Sequence, residues 1–266
     1  MDIIAELENI RKNGNLSLLE VEFVRFLTKI EPHANPLVLK AAATCVQAQQ
    51  NGNVCLDFEN WKEAYVFGDE QAGEKITPQL KDEWLTALQT SALVSDGREL
   101  TPMVLEGRRL YLHRFWKYEE ELAAWLKERA GLKQELPVQS QEIVRELLSP
   151  SGDLFEVNWQ HVAVCLSFLK NLVVISGGPG TGKTFTVLNI IAAQMKAHEA
   201  DNYRVALAAP TGKAARRLTE SIQKGKENLP QAFKALVEVP EDAQTVHKLL
   251  GADFRGNIFK YNAENK

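Results

Sequence analysis

Eight consecutive residues, Gly177-Gly178-Pro179-Gly180-Thr181-Gly182-Lys183-Thr184, have the types and spacing to hold a triphosphate. Glycines permit backbone dihedrals that turn successive N–H groups towards one point. Without Cβ atoms, the loop can also approach an anion closely. Lys183 adds a full positive charge for the β- and γ-phosphates of ATP or another nucleoside triphosphate, and the Thr184 hydroxyl is placed to ligate Mg2+. Gly177, Gly182, Lys183 and Thr184 fill every constrained position of the pattern G-x-x-x-x-G-K-[ST]. Such a loop works between a buried strand and a helix, because the helix N-terminus offers unsatisfied N–H groups and the positive end of its dipole.

The flanking residues predict that setting. Leu172-Val173-Val174-Ile175 is an unbroken apolar run of strand length ending at glycine, the pattern of a parallel strand covered on both faces. Good helix formers run from about Lys183 to Ala197. A second apolar run, Val205 to Ala209, precedes a second helix from about Lys213. Strand, helix, strand, helix with short connections begins a doubly wound α/β domain. Between the second strand and its helix stand Pro210, Thr211, Gly212 and Lys213. A hydroxyl, a bare backbone N–H and an ammonium there suit a nucleic-acid phosphate, and solvated turn residues look the same. Thr245 and His247, taken alone, read as an N-cap and an ordinary surface or core histidine.

The first half reads differently. Ser17 and Glu20 have capping-box spacing ahead of Val21, Val24, Leu27 and Ile30 at helical intervals. Asn35-Pro36 and Thr77-Pro78 are helix starts, the first ending at Asn51-Gly52 and the second leading Leu80, Trp84, Leu85 and Leu88. Met103–Leu105 and Leu110–Leu112 flank Glu106-Gly107-Arg108-Arg109 as a short β-hairpin, and a charged helix follows around Trp116 to Arg129. Pro137, Pro150 and Gly152 surround one helix in a connecting stretch. The expected organisation is a mostly helical domain at 1–131 with a small hairpin, a linker at 132–152, and an incomplete α/β domain with a parallel sheet at 153–266.

The chain has 266 residues, 45% of them hydrophobic, enough for one large or two small cores. Its net charge of −4 hides an asymmetry: residues 170–266 carry 14 basic and 9 acidic side chains, residues 1–169 carry 17 and 26. The C-terminal part attracts a polyanion and the N-terminal part repels one. The acidic surface serves solubility or protein partners. No run of 18 apolar residues predicts a membrane span, and the acidic N-terminus does not read as an export signal. Cys45, Cys55 and Cys165, widely separated in apolar contexts, read as reduced, buried thiols of a cytoplasmic protein.

Ala208-Ala209-Pro210-Thr211-Gly212-Lys213-Ala214-Ala215-Arg216-Arg217-Leu218 resembles motif Ia of superfamily 1 helicases, in the form seen in the RecD-like branch. Thr245-Val246-His247-Lys248-Leu249-Leu250-Gly251 is similar to the next block of that branch, and Asn158-Trp159-Gln160-His161-Val162-Ala163 to its glutamine motif. The N-terminal region shares the resemblance at Thr101-Pro102-Met103 and Arg109-Leu110-Tyr111-Leu112. The resemblance implies a RecA-like P-loop domain. It also implies an ATP-driven motor moving 5′ to 3′ on single-stranded DNA during recombination, within a heterotrimer such as exodeoxyribonuclease V that adds a second motor subunit and a scaffold subunit. The N-terminal domain then contacts those subunits. Gln160, able to donate to and accept from the adenine edge at once, selects ATP over GTP. Thr245 and His247, with Pro210 to Lys213, line the single-strand path.

Two departures limit what these residues are expected to do. Hydrolysis at such a loop needs an acidic pair after a buried strand. In the resembled family it lies beyond the Thr-Val-His block, and the chain stops at Lys266. Leu236 to Asp242 does not substitute, because the run is short and Pro240 cannot donate in a central strand. The expectation is an N-terminal portion that binds nucleotide without useful turnover or unwinding and whose shortened sheet leaves an apolar edge. Phe185, where the family has a small polar residue, is expected to pack on the core or the connection. An AAA-type ATPase shares the loop but predicts no Pro-Thr-Gly-Lys block. A partner-binding module with an incidental ATP site is the reading from another class.

Overall fold

The computed structural model describes residues 3–61, 63, 65–67, 74–132, 134, 135, 138–147, 157–198, 204–234, 243–253, 259–262 and 265. The chain divides into two units, Met1–Trp125 and Leu126–Lys266.

In the first unit, helices α1 (Ile3–Lys12), α2 (Leu18–Ile30) and α3 (Pro36–Gln50) pack together. The capping box forms: the Ser17 side chain accepts from Leu19 N (3.2 Å), and Ser17 N donates to the Glu20 carboxylate at 3.0 Å. Asn35 Oδ1 accepts from Leu37 N at 2.9 Å and Pro36 occupies the first helical turn. Such caps contribute about 1 kcal/mol each by satisfying donors that the helix cannot. Short strands β1 (Leu56–Asp57), β2 (Tyr65–Val66) and β3 (Glu74–Lys75) lead to α4 (Pro78–Gln89), capped by Thr77, whose hydroxyl accepts from Leu80 N at 3.1 Å. Then come β4 (Val94–Ser95) and the hairpin β5 (Met103–Glu106) and β6 (Arg109–Leu112), with Met103 opposite Leu112 and Glu106 opposite Arg109. The sheet order is β1-β6-β5-β4, and β2 pairs with β3 apart from it. Val21, Val24, Leu27, Trp84 and Leu88 lie at the centre of the core. Burial of each such side chain stabilises by about 1.5–3 kcal/mol. Ile30, expected on the same stripe, is exposed instead. Helix α5 (His113–Gly131) follows and buries none of its residues.

The second unit is assembled around one helix. After α6 (Ser140–Leu147) and α7 (Trp159–Leu169), α8 (Lys183–Ala197) packs against both, and later against α9 (Gly212–Lys226). Leu188, Ile191 and Ala192 of α8 meet Ile143, Leu147, Val164, Phe168 and Ile222. β7 (Ala208–Ala209) precedes α9; α10 (Gln231–Lys234), β8 (Gln244–Thr245) and α11 (Val246–Leu249) complete the elements. β7 and β8 are parallel, with Ala208 opposite Gln244 and Ala209 opposite Thr245. The fold is α/β as expected, but its parallel sheet is smaller. Leu172 to Ile175 joins no ladder among the described residues, and Val174 is 82% exposed. An apolar run becomes a strand only where a neighbour in register takes its N–H and C=O groups, and no described residue does so here. The second run contributes only Ala208 and Ala209. Leu236 to Asp242, Pro137, Pro150 and Gly152 lie outside the described residues.

The cysteines divide by environment rather than forming a buried set. Cys45 is buried, donates to the Leu110 carbonyl at 3.3 Å, and has its thiol pushed up to about 12 by burial. Cys55 is half-buried, its thiol also raised, chiefly by burial. Cys165 is exposed on α7, correcting the expectation of burial, because the helix buries the side that carries Val164 and Phe168 and Cys165 stands off that side. Thiolate, not thiol, attacks a disulfide reagent. In the native protein at mildly alkaline pH, Ellman's reagent should therefore modify Cys165 first, Cys55 slowly, and Cys45 only after unfolding in guanidinium. Peptide mapping of the modified sites checks the order, and rapid native labelling of Cys45 would contradict it.

Candidate phosphate-binding site

Gly177 to Thr181 form an exposed turn that runs through half-buried Gly182 into α8 at Lys183. Gly180 (φ +77°) and Gly182 (φ +78°) both adopt left-handed backbone, which costs an L side chain about 1–2 kcal/mol. Gly182 is the N-cap of α8 and gives it no side-chain cap. The first N–H groups of the helix are thus left without the acceptor that Ser17 or Asn35 gives elsewhere. The Thr181 hydroxyl braces the turn from within, donating to the Gly178 carbonyl at 2.9 Å. The sequence pattern treats that residue as free and misses this role.

Lys183 folds back over the loop. Its ammonium donates to the carbonyls of Gly177 (2.6 Å) and Gly178 (2.5 Å). Both partners are exposed, so these bonds compete with water and are replaceable. Thr184 is half-buried at the start of α8. Two residues on, Thr186 is buried, and its hydroxyl donates to the Gly182 carbonyl at 3.1 Å. Phe185 is half-buried and stands outside the buried cluster of the unit.

Asn158 caps α7, its Oδ1 accepting from Gln160 N (3.0 Å) and His161 N (3.2 Å). The cap orients the first turn so that the Gln160 amide lies against the loop: a Cβ on Gly182 would stand 3.0 Å from Gln160 Nε2. Gln160 and the loop, some twenty residues apart in sequence, are therefore neighbours.

The parallel pair brings the other two segments together. Ala209 and Thr245 are opposite one another, so Pro210–Lys213 and Val246–His247 leave adjacent strands at the same end. Thr211 caps α9 by accepting from Ala214 N, and Thr245 caps α11 by accepting from Lys248 N, each at 3.2 Å. Pro210, Thr211, Gly212, Lys213 and His247 are all exposed, and the His247 ring lies 5.9 Å from that of Phe259. Lys213, Arg216 and Arg217 occupy one face of the first turns of α9 at spacings of three and four residues, followed by Glu220 on the same side. Among the described residues none of the three cations is in an ion pair. Arg216 and Arg217 were not singled out from the sequence, and their spacing from Lys213 was the available signal.

Residues 12–111 match the family model described as RecBCD enzyme subunit RecD, N-terminal domain, and residues 160–266 match the one described as AAA domain. Similar proteins include RecBCD enzyme subunit RecD of Mycobacterium tuberculosis, 34% identical over 95% of this chain and 41% of that protein. Its counterparts in Buchnera aphidicola (31% identical over 82% of this chain and 36% of theirs) and Haemophilus influenzae (30%, 88% and 39%) match as well. Along nearly its whole length the chain is similar to RecD proteins. It spans about 40% of the length of these relatives. The two matched stretches fall either side of the division between the two units, and the second begins at Gln160, the residue packed on the loop.

The close approach of Gln160 to Gly182 and the left-handed backbone at Gly182 give a stability test. Gly182→Ala is expected to lower the unfolding free energy of the second unit by about 1–2 kcal/mol. Urea unfolding followed by far-UV circular dichroism measures it. An unchanged midpoint would show that the turn relaxes without cost.

Proposed function

We propose that these residues form the ATP-binding N-terminal part of a DNA helicase subunit that moves 5′ to 3′ along single-stranded DNA in double-strand-break repair and recombination. The observation that carries this reading is the loop itself. Lys183 rests on two exposed carbonyls at an uncapped helix N-terminus, with the Gln160 amide against Gly182.

The residues suit MgATP on observed grounds. Gly177, Gly178, Pro179, Gly180, Thr181 and Gly182 supply the backbone of the phosphate site, and α8 begins beside them with no side-chain cap on its first N–H groups. Lys183 exchanges the carbonyls of Gly177 and Gly178 for the anion. Thr184 offers a hydroxyl to Mg2+, which, when bound, neutralises charge on the phosphates. Gln160 reads the adenine edge with its amide. Pro210, Thr211, Gly212, Lys213, Thr245 and His247 form the single-strand contact, extended by Arg216 and Arg217. The phosphate contacts position the strand without reading its sequence.

Residues 1–131 act as the partner-binding domain, meeting the second motor subunit and the scaffold subunit of exodeoxyribonuclease V in the cytoplasm. Residues 132–152 connect it to the motor domain at 153–266. Because α6 buries Ile143 and Leu147 in the second unit, the helix of that connection serves the motor domain. No described helix is long and apolar enough to cross a membrane. Relatives named as RecBCD enzyme subunit RecD support these roles.

Binding and turnover are expected to separate in this polypeptide, because water activation needs a carboxylate pair after a buried strand and neither β7 nor β8 is followed by one. Steady-state ATP hydrolysis, with or without an oligothymidine strand, should not exceed that of Lys183→Ala. DNA-stimulated turnover abolished by that substitution would mean that a catalytic carboxylate lies within these residues. In titrations with a fluorescent ATP analogue, Lys183→Ala should weaken binding at least tenfold. Gln160→Ala should reduce the preference for the adenine over the guanine analogue by about tenfold, since a bidentate contact to a base edge discriminates by about 1–3 kcal/mol. An undiminished preference would remove Gln160 from base recognition.

A further inference from the structure

We propose that the outer face of α2 is a self-complementary seam through which two copies of this chain pair antiparallel about a two-fold axis. The inner face of α2 is occupied by Val21, Val24 and Leu27, all fully buried. A surface helix ordinarily turns polar residues to the other side. Here Leu19 (55% exposed), Phe23 (half-buried), Phe26 (51%) and Ile30 (50%) follow one another at intervals of four, three and four. That spacing is the d-a-d-a seam of a coiled coil, and the Phe23 and Phe26 rings already stack along it, centroids 6.4 Å apart. α2 is thus apolar on two sides; on the second, Phe23 packs partly against the core while Leu19, Phe26 and Ile30 are uncovered.

The charges beside the seam select the occupant. Glu22 and Lys29 are one heptad apart on the same flank, both exposed. The opposite flank, carrying Glu20 and Leu27, is buried in the unit. In an antiparallel pair related by a two-fold axis, like flanks face each other. Glu22 then stands near Lys29 of the second copy, and the reverse pair repeats across the axis. Leu19 meets Ile30 of the second copy, and Phe23 meets Phe26. A parallel pair would turn Glu22 and Lys29 towards the buried flank and leave them unmatched. Lys29 has no ion-pair partner among the described residues, and Glu22 has only Arg25, at 3.4 Å across one turn. Exposed ion pairs add little affinity, so they set orientation, and the apolar seam supplies the attraction. A two-heptad seam lies at the small end of protein interfaces, so the dimer forms only at high concentration.

This inference does not depend on the nucleotide reading. The test is sedimentation velocity of the full chain over a concentration series, compared with Phe26→Asp, Glu22→Lys, Lys29→Glu and the double reversal. The wild type should pass from monomer towards dimer, and Phe26→Asp should stay monomeric. Each single reversal should shift the midpoint to higher concentration, and the double should restore it. Circular dichroism confirms folding, with Phe26→Ser replacing Phe26→Asp if the latter unfolds. Binding of the ATP analogue should be the same in every variant, so failure of the seam is distinguishable from failure of the site. A wild type monomeric throughout, or a dimer indifferent to Phe26 substitution, overturns the proposal. A double reversal no better than the singles overturns the antiparallel arrangement.

Discussion

The second unit depends on one constraint: the N-terminus of α8 must stay uncapped and yet be held in place. A side-chain cap of the kind used at Ser17, Asn35, Thr77 or Asn158 would occupy the donors that an anion needs. Gly182 leaves them open, and the helix is fixed instead by burial along its body, where Leu188, Ile191 and Ala192 pack against α6, α7 and α9. Buried polar residues on the same helix tighten this. Gln194 donates to the Ser167 carbonyl at 2.8 Å, tying the far end of α8 to α7. Asn189 is almost fully buried and leaves its Nδ2 without a partner among the described residues, a cost of about 1–3 kcal/mol. The structure offers no physical account of why an amide is kept there.

A second constraint acts through the parallel pair. Parallel strands end at the same edge, and both loops that leave β7 and β8 begin at that edge. Two short ladder steps are therefore enough to bring Thr211 and Thr245 together from positions more than thirty residues apart. Both threonines serve as N-caps, so each hydroxyl oxygen is already engaged with a backbone N–H. A hydroxyl that caps a helix can still donate its own proton to an outside acceptor. The structural reading of these residues and the binding reading are thus compatible at the level of single atoms.

Local signals were legible in the sequence where the chemistry is local. The capping box at Ser17, the Asn35-Pro36 and Thr77-Pro78 starts, the hairpin about Gly107 and the limits of α8 each depend on residues within one turn of each other. The phosphate loop is of the same kind, eight contiguous residues whose backbone requirements are written as glycines. What failed depended on distant partners. Leu172 to Ile175 has strand composition, but its ladder needs a neighbour supplied from elsewhere. Ile30 fits the period of Val24 and Leu27, yet the drift of the helix carries it onto the outer face. Cys165 sits in an apolar helix, and only the packing of α7 on α8 decides which side is covered. The proximity of Gln160 to Gly182 is tertiary too, and became legible only through a resemblance that joined the two motifs.

The charge distribution bears on how one polypeptide can carry an acidic region and still attract a polyanion elsewhere. A net charge of −4 would argue against nucleic-acid contact if charges acted over the whole molecule. At physiological salt the screening length is about 8 Å, shorter than the roughly 13 Å radius of gyration of a 100-residue unit. Each unit therefore presents its own field. Residues 170–266, with 14 basic against 9 acidic side chains, are locally cationic whatever the rest of the chain carries. Lys213, Arg216 and Arg217 concentrate that excess on one face of α9, where neighbouring cations add their potentials within a screening length. The acidic excess of residues 1–169 lies largely in the other unit and acts on whatever approaches that surface. Separation into units, rather than overall composition, lets opposite electrostatic preferences coexist in this chain.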